Sequence, residues 1–550
     1  MTTEIQHRSS VVALISWAIA TPNRAVAILV SLVVGYLVLI ALRQYPRVLI
    51  QRRSLPPGPF PWPIVGNHFQ IKLPRPWLYL SDLSKQYNSP MITIWYGHKP
   101  SIVCNDIWTI TDLCDKRASI YSSRPPMVML GESRNASEND QAVLPYGDRW
   151  RYHRRLTHQA VGTQAVRAYR PFQDAEIKIL LRDLLAAPDR YVKAIERYSV
   201  SIVSCIGFGR RVARVDDNIA QMALKFMEGV DFVIPGMFIM ESIPWLLKLP
   251  RALYPDASNL VENARRISNF FTSLTREASQ SSTNGPLFSD LLLKESKTAD
   301  LSDAEMSFLA GNLIGGGVDT TASTTLTFIF AMCAFPEVQK KAHACIEQAV
   351  GGRLPDWEDE PSLAYIRACV EETLRWRTVT ILGGIPHAPI QDDVYRGYLI
   401  PRGTWITGNM WAIHRDPKCF PNPDEYRPER FIDRDQEPPF PVKKGHSAFG
   451  WGRRQCSGQP LAEQGLFLTF ARLLWTFEMK PALLPDGTEE RLDIFAFTES
   501  ENMRPEPFRV RFIPRSEMHR DVVVRQAQAA REFLSQFDGE SQVQVPEFQT

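Results

Sequence analysis

The chain has 550 residues, of which 44% are hydrophobic and 13 are tryptophan, which indicates a globular protein with a large buried core. Its 63 basic and 60 acidic residues leave a net charge of +3, so there is no reason to expect a nucleic-acid partner. The eight cysteines are scattered singly, without a Cys-x-x-Cys pair. This pattern argues against zinc and disulfide frameworks and suits a reducing compartment.

The first predicted element is a transmembrane anchor over residues 25–42, after an N-terminal segment of residues 1–24. The stretch 25–42 carries no charge and, at about 1.5 Å per residue, nearly crosses a hydrocarbon core. Arginines at positions 43, 47, 52 and 53 follow it, whereas Arg8 and Arg24 precede it. The positive-inside rule therefore places the rest of the chain in the cytosol. The alternative is a cleaved signal peptide, but the flanking arginines do not form a small-residue cleavage site.

Residues 43–63 form a predicted basic and proline-rich hinge. The sequence from Leu55 to Pro63 is rich in proline, so it cannot be helical or pair as a central strand. We expect a stiff spacer here.

A β-hairpin is predicted from Met91 to Tyr96 and from Ser101 to Cys104, because both runs are rich in β-branched and aromatic residues. From about residue 105 onward the pattern is mainly helical. The predicted fold class is therefore mainly α with small β-sheets.

Residues 150–155, Trp-Arg-Tyr-His-Arg-Arg, are predicted to begin a helix. Trp150 and Arg154 are four residues apart and share a helix face, so an indole N–H and a guanidinium could both donate to one carboxylate. A solvated basic face is the alternative.

Residues 310–321 read Ala-Gly-Asn-Leu-Ile-Gly-Gly-Gly-Val-Asp-Thr-Thr within a predicted helix from about Leu301 to Cys333. Each glycine inside a helix costs roughly 1 kcal/mol relative to alanine. Close approach of a flat cofactor and a local opening for a small ligand would compensate that loss. A glycine-kinked packing helix with a capping Asp-Thr pair is the alternative.

Two shorter segments combine charge with irregular backbone. Glu372 and Arg375 are three residues apart on a predicted helix, which alone indicates a common helical ion pair. The sequence Pro-Glu-Arg-Phe at residues 428–431 lies in a proline-rich, irregular stretch.

Residues 449–458, Phe-Gly-Trp-Gly-Arg-Arg-Gln-Cys-Ser-Gly, precede an apolar, helix-period run from Leu461 to Phe477. Glycines let the backbone fold tightly around a sulfur, while guanidinium groups and the positive end of a helix favour a thiolate. Such a thiolate could be a nucleophile, a zinc ligand or the axial ligand of a haem iron.

The spacing within this loop favours the last of these. Phe449, Gly452, Arg454, Cys456 and Gly458 reproduce the pattern Phe-x-x-Gly-x-Arg-x-Cys-x-Gly, so the loop resembles the haem-ligand loop of the cytochrome P450 family.

The segments at residues 316–321, 372–375 and 428–431 resemble further motifs of that family, in the family's order. The resemblance covers about residues 50–514. Ser457 is the one departure, since proline is frequent there.

The resemblance implies a cytochrome P450 fold preceded by the N-terminal transmembrane helix. It implies a haem-thiolate catalytic domain over residues 64–514 and leaves the tail, residues 515–550, without a role. Residues 372, 375 and 430 would then have a structural role through bidentate pairing.

The resemblance also implies roles for the residues at the matching motif positions. Cys456 would be the axial thiolate of a haem b iron, Asp319 would relay protons, and Thr320 would hydrogen-bond bound oxygen. The other residues expected to contact the cofactor, chiefly its propionates, are Arg124, Trp150, Arg154, His387, Phe449 and Arg454. His387 could also be a satisfied core histidine. Residues 380–383 and 495–498 are expected to reach the substrate pocket.

The implied function is a haem-thiolate monooxygenase that uses O2 to hydroxylate, epoxidise or cyclise an apolar small molecule. The sequence at residues 384–388 and 400–404 resembles that of fungal members of the family that modify alkaloids, terpenoids or polyketides. Electrons would come from NADPH through an NADPH-cytochrome P450 reductase, docking near Arg151, Arg155 and Arg453, with cytochrome b5 as a further partner. Membrane lipid would hold the protein, as a single-pass protein, in the endoplasmic reticulum.

Two alternatives remain open at this stage. One is a haem-thiolate isomerase or dehydratase that needs neither O2 nor a reductase, although such relatives tend to lack the acid-threonine pair of Asp319 and Thr320. The other is a non-enzymatic haem-binding membrane protein.

Overall fold

The structure is a computed structural model that describes residues 31, 35, 39, 42–214, 216–250, 252, 255–278, 287–298, 301–432, 434–539 and 541–548. Most of the predicted anchor, residues 25–42, lies outside these ranges. Within them, no single helix is both long and apolar enough to cross a membrane; one pair of helices, Asp303–Ala334 and Pro336–Val350, meets the test only jointly and is bent by 104°.

The chain is mainly helical, as predicted. Its helices are α1 (42–52), α2 (Pro76–Gln86), α3 (Ile107–Thr111), α4 (Ala118–Tyr121), α5 (Asp148–Val161), α6 (Arg170–Ala186), α7 (Tyr191–Phe208), α8 (Asn218–Met227), α9 (Pro255–Ala278), α10 (Phe288–Thr298), α11 (Asp303–Ala334), α12 (Pro336–Val350), α13 (Ala364–Trp376), α14 (Met410–Ile413), α15 (Gln459–Thr476) and α16 (Glu517–Leu534). Short 3₁₀ and π turns connect several of them.

Three small sheets complete the fold. The strands are β1 (Met91–Tyr96), β2 (Lys99–Cys104), β3 (Asp393–Tyr395), β4 (Tyr398–Ile400), β5 (Trp405–Gly408), β6 (Phe477–Pro481) and β7 (Val510–Pro514). β1 and β2 are antiparallel, β5 joins β2 in parallel, and β3–β4 and β6–β7 form separate antiparallel pairs. The predicted hairpin is confirmed, with β2 starting two residues earlier than expected.

The proline-rich hinge packs along the edge of the first sheet. The backbone N–H of Thr93 in β1 donates to the carbonyl of Pro57 at 2.9 Å. A side chain at position 58 would place its Cβ 1.9 Å from the Thr93 carbonyl oxygen, so only glycine allows this approach. The stiff spacer is therefore attached to the sheet at this point.

The 32-residue helix α11 runs through the core, close to the predicted limits. Ser302 caps its N-terminus, and Glu305 completes a capping box by bonding back to Ser302. The same buried carboxylate pairs with Arg149 and lies 3.0 Å from the His153 ring nitrogen. One acidic residue therefore caps α11 and attaches α5 to it.

The ion pair predicted from residues 372 and 375 is fully buried in α13. Arg375 donates to Glu372 through Nε at 2.6 Å and Nη2 at 2.8 Å, and Arg430 Nε lies 3.5 Å from the same carboxylate. Arg375 also donates to the carbonyls of His414 and Pro423. These bonds join α13 to the irregular segment that precedes the cysteine loop.

Candidate active site

A cavity of about 400 Å³ lies between α11 and the loop that precedes α15. Six of the nine predicted site residues line it: Arg124, Thr320, His387, Phe449, Arg454 and Cys456. Thr380 and Gly383 also line it, as predicted. Asp319, Trp150 and Arg154 do not line the cavity but lie beside residues that do.

The cysteine loop is folded by its glycines. Gly450 and Gly452 have φ values of 76° and 56°, in the left-handed region. A Cβ at position 452 would lie 2.1 Å from the Cys114 carbonyl oxygen, so this close approach also requires glycine. The N–H of Cys456 donates to the Phe449 carbonyl at 2.9 Å, which closes the loop.

The Cys456 sulfur lies just before the N-terminus of α15, whose N-cap residue is Gly458. Although the sulfur is enclosed by the protein fold, it is exposed to the cavity. Burial raises the pKa of the Cys456 thiol, whereas the backbone N–H groups of Gly458 and Gln459 and the charge of Arg154 lower it. The helix N-terminus and these donors are arranged to stabilise a thiolate.

Two buried arginines form one wall of the cavity. Arg124 donates to the carbonyls of Ala142, Ile385 and Pro386. Arg454 donates to the carbonyls of Ser122, Gln141 and Leu144. Burial lowers the pKa of Arg124 to about 10. Burial, together with the charges of Arg124 and Arg154, lowers the pKa of Arg454 to about 8.

Trp150 and Arg154 are on one face of α5 but contact the site differently. The Arg454 guanidinium lies 4.4 Å from the centre of the Trp150 ring, which supports it as a cation–π contact. Arg154 donates to the carbonyl of Gln455, next to the cysteine. Donation by both residues to one carboxylate stays a prediction.

His387 is a buried, neutral imidazole. Its Nδ1 lies 2.9 Å from the Tyr121 carbonyl oxygen, so Nδ1 carries the proton. The backbone N–H and carbonyl of His387 form hydrogen bonds with the backbone carbonyl and N–H of Ile406. Burial and the charges of Arg124 and Arg454 lower the His387 pKa to about 3. A neutral ring in this tautomer accepts rather than donates at Nε2.

This donor set fits a haem. Within the described residues, no carboxylate forms an ion pair with Arg124, Arg154 or Arg454, and their hydrogen-bond acceptors are backbone carbonyls. Buried cations are costly unless anions compensate them, so the wall suits a ligand that carries carboxylates. On the opposite side, Gly316 of α11 leaves room for a flat ring system, because a side chain at this position would meet no atom within 4 Å.

Thr320 lines the cavity, and its hydroxyl donates to the Gly316 carbonyl at 2.6 Å. Asp319 points elsewhere. Its Oδ2 accepts a 2.7 Å hydrogen bond from the Asn502 side chain, and Ser323 Oγ lies 3.5 Å from Oδ1. Burial raises the Asp319 pKa, while the bond from Asn502 lowers it.

Comparison with known proteins decides the family. The sequence model of the cytochrome P450 family matches residues 56–503. The chain belongs to the cytochrome P450 family.

Three curated relatives show how close the similarity is. The chain is 35% identical to cytochrome P450 monooxygenase fogE of Aspergillus ruber, over 84% of this chain and 88% of that protein. It is 35% identical to cytochrome P450 monooxygenase virE of Hypocrea virens, over 86% of this chain and 88% of that protein. It is 34% identical to tryptamine 4-monooxygenase of Psilocybe cyanescens, over 85% of this chain and 94% of that protein.

This cytochrome P450 is therefore a haem-thiolate monooxygenase by family, and such enzymes use O2 and a redox partner on small-molecule substrates. The predictions of the family, the mainly helical fold and the haem cofactor are confirmed.

Sequence reasoning missed the segment from Glu501 to Arg504. Asn502 bonds Asp319, and Glu501 accepts backbone N–H bonds from Leu382 and Gly384 beside the cavity. Nothing in the local sequence marks either residue, since the contact between Asn502 and Asp319 joins positions 183 residues apart.

The expectation that residues 495–498 reach the pocket was wrong. The rings of Phe495 and Phe497 lie 5.3 and 5.5 Å from the Arg377 guanidinium, outside the cavity lining. The buried Arg377 attracts these aromatic faces.

Proposed function

We propose that this P450 oxidises an apolar small molecule of fungal secondary metabolism, with Cys456 as the axial ligand of haem b. One observation carries the proposal. The Cys456 sulfur faces the same cavity as Gly316 and Thr320 of α11, beside Arg124 and Arg454, which form no ion pair with a carboxylate among the described residues.

The arginine wall would orient the cofactor. Arg124 and Arg454 are held in place by three backbone carbonyls each, so their remaining donors are presented to the propionates without rearrangement. Arg154 and Trp150 support this wall from α5, and Phe449 packs in the cysteine loop. A thiolate-ligated haem supplies O2 activation and oxygen transfer when it is bound.

The proton-handling residues lie on α11. Because the Thr320 hydroxyl donates its hydrogen bond to the Gly316 carbonyl, its oxygen is available to accept a hydrogen bond in the cavity. Asp319 is held by Asn502, so it would deliver protons toward Thr320 by rotating away from that amide. Asn502 thus holds the acid out of the cavity between deliveries.

The substrate class is supported by the lining and by the relatives. Leu309, Leu313 and Val379 give the distal part of the cavity an apolar surface. The Psilocybe relative is named for oxidising tryptamine at position 4. An alkaloid, terpenoid or polyketide intermediate fits these observations.

The partners follow from the surface and the N-terminus. Arg151, Arg155 and Arg453 are exposed near the cysteine loop, which suits docking of an acidic NADPH-cytochrome P450 reductase, or of cytochrome b5. The uncharged run 25–42 and the arginines after it support a single-pass anchor in the endoplasmic reticulum with the catalytic domain, residues 64–514, in the cytosol.

The alternatives are less well supported. The Asp319–Thr320 pair disfavours an isomerase or dehydratase that works without O2. The names of the relatives, which are monooxygenases, disfavour a non-enzymatic haem carrier.

The first experiment is the spectrum of the reduced protein with carbon monoxide. The wild type should give the strongly red-shifted Soret band of a thiolate-ligated haem, and Cys456→Ala should lose it. Cys345→Ala is the matched control, because Cys345 is half-buried and outside the cavity lining, and it should keep the band. An imidazole-type band in the wild type would show that the assigned ligand is wrong.

A further inference from the structure

Asn312 places an amide on the cavity face of α11. Asn312, Gly316 and Thr320 are spaced by four residues, share one helix face, and all line the cavity. The neighbouring Leu309 and Leu313 are apolar. The Asn312 amide is therefore a polar group among apolar neighbours, two helical turns from Thr320.

The orientation of this amide is fixed by Asp140. Asn312 Nδ2 donates to Asp140 Oδ1 at 2.7 Å, and the same oxygen accepts the backbone N–H of Ala142 at 2.8 Å. Asp140 is 2% exposed. Burial raises the pKa of Asp140, while the bonds from Asn312 and Ala142 and the charges of Arg134 and Arg124 lower it.

Because Asp140 Oδ1 already accepts the backbone N–H of Ala142, this oxygen acts as an acceptor, so the NH₂ group of Asn312 faces it. The Oδ1 atom then points away from Asp140, and no described residue donates to it. Asn312 therefore offers the cavity a fixed hydrogen-bond acceptor.

Asn312 and Thr320 both line the cavity, and the bare helix backbone of Gly316 lies between them. Eight residues of helix rise about 12 Å from Asn312 to Thr320. A flat molecule could lie along this surface with one end at Asn312 and the other near Thr320.

We propose that Asn312 selects substrates that carry an N–H or O–H donor on the order of 10 Å from the oxidised carbon, on a flat apolar framework. This inference rests on the proposed function and narrows its substrate class. A bound substrate partly removes water from the Asn312 Oδ1 acceptor. An analogue without an N–H or O–H donor does not replace the lost hydrogen bond to water, so it binds more weakly.

The test compares three probes: 4-phenylphenol, its O-methyl ether 4-methoxybiphenyl, and biphenyl. The first carries an O–H donor at one end of a flat two-ring framework, and the other two have no donor. Dissociation constants come from the Soret shift on titration, which reports binding without turnover. The wild type should bind 4-phenylphenol about 10- to 100-fold more tightly than its methyl ether.

Asn312→Leu should abolish this preference while biphenyl binding stays within a few-fold of the wild type. Asn312→Ala removes the acceptor without adding bulk and must give the same loss if the leucine variant fails to fold. A preference that persists in both variants, or a wild type that shows no preference or binds none of the probes, would overturn the proposal.

Failure of the proposed function would look different. In that case the wild type would lack the red-shifted carbon-monoxide band before any probe is added. A normal band with no donor preference would reject Asn312 alone.

Discussion

Glu501 is a buried carboxyl group beside the substrate cavity, and no basic side chain among the described residues lies within hydrogen-bond range of it. Its oxygens accept backbone N–H groups of Leu382 and Gly384, and its own N–H donates to Asp231. Burial and the negative charge of Asp231 raise the Glu501 pKa to about 8, although the two backbone donors lower it. Native Glu501 is therefore mostly protonated at neutral pH.

This protonation makes stability depend on pH. Above its ordinary pKa of 4.5 the unfolded chain releases the proton, whereas the native protein keeps it up to about pH 8. The contribution of Glu501 to the free energy of unfolding is thus fully present below pH 4.5 and is lost as the pH rises to about 8. Over this range the free energy of unfolding falls by about 1.4 kcal/mol per pH unit.

We expect Glu501→Gln to remove this dependence, because the amide keeps an acceptor for the backbone donors and does not ionise. The free energy of unfolding, measured by denaturant titration at pH 5 to 8, should fall less steeply with pH in the variant. Glu499→Gln is the matched control, since Glu499 is surface-exposed and pairs with Arg75. Parallel pH profiles for Glu501→Gln and the wild type would contradict the prediction.

The residues of the haem site differ in how well sequence could predict them. Cys456 and its glycines are adjacent in sequence, and the close approach of Gly452 to Cys114 explains why glycine is needed there. Asp319 was found from its own motif, but its orientation toward Asn502 depends on a segment far along the chain. Local patterns locate such residues, whereas tertiary packing decides where their side chains point.

The three successive glycines of α11, Gly315 to Gly317, have different neighbours, although the sequence alone does not distinguish them. A Cβ at position 315 would lie 2.6 Å from the Phe226 ring of α8, and one at position 317 would lie 2.2 Å from Val203 Cγ1 of α7. A Cβ at position 316 would meet open cavity. Gly315 and Gly317 therefore allow neighbouring helices to pack closely, while Gly316 leaves space for ligands.

At the scale of the helix pair, Gly317→Ala should destabilise the protein by about 1–3 kcal/mol, because the new methyl overlaps Val203. Combining it with Val203→Ala should recover part of that loss, since the next nearest atom, Val203 Cβ, lies at 3.4 Å. Chemical denaturation of the two single variants and the double variant measures this coupling.

Gly316→Ala is the control for this cycle. It adds the same methyl group at the preceding residue and replaces a glycine by a better helix former. The free energy of unfolding without substrate should therefore not fall. Strictly additive effects of Gly317→Ala and Val203→Ala would show that the two side chains do not clash.

Across the whole molecule, the elements that depend on local sequence were predicted well. The limits of α11 and of the first hairpin differ from expectation by one or two residues. The packing of the tail was not predictable, because α16 is polar on one face and its partner surface is remote in sequence. Its buried residues, Val523, Ala527, Ala530 and Leu534, lie on the opposite face. That face packs against the helical domain.

Beyond α16, the segment 541–548 runs across α8 and α9. The Val543 carbonyl accepts from Asn218 of α8 at 2.9 Å, and Ser541 and the backbone of Gln542 donate to Glu277 of α9. Phe548 lies 5.1 Å from the Lys225 ammonium of α8. Since Phe226 of α8 packs on Gly311 and Gly315 of α11, the segment connects the tail to helices that pack against α11.

We therefore expect a chain that ends after Gly539 to exchange the backbone amides of α8 and α9 faster, by about 5-fold or more, because several hydrogen bonds to these helices are lost. Hydrogen exchange followed by mass spectrometry measures this, and amides of α11 should be unaffected, as should the carbon-monoxide band. Asn218→Ala should give a smaller change in α8 alone. Gln544→Ala should give none, since that side chain bonds only within the segment. Unchanged exchange in α8 and α9 after truncation would mean that the segment lies on these helices without stabilising them.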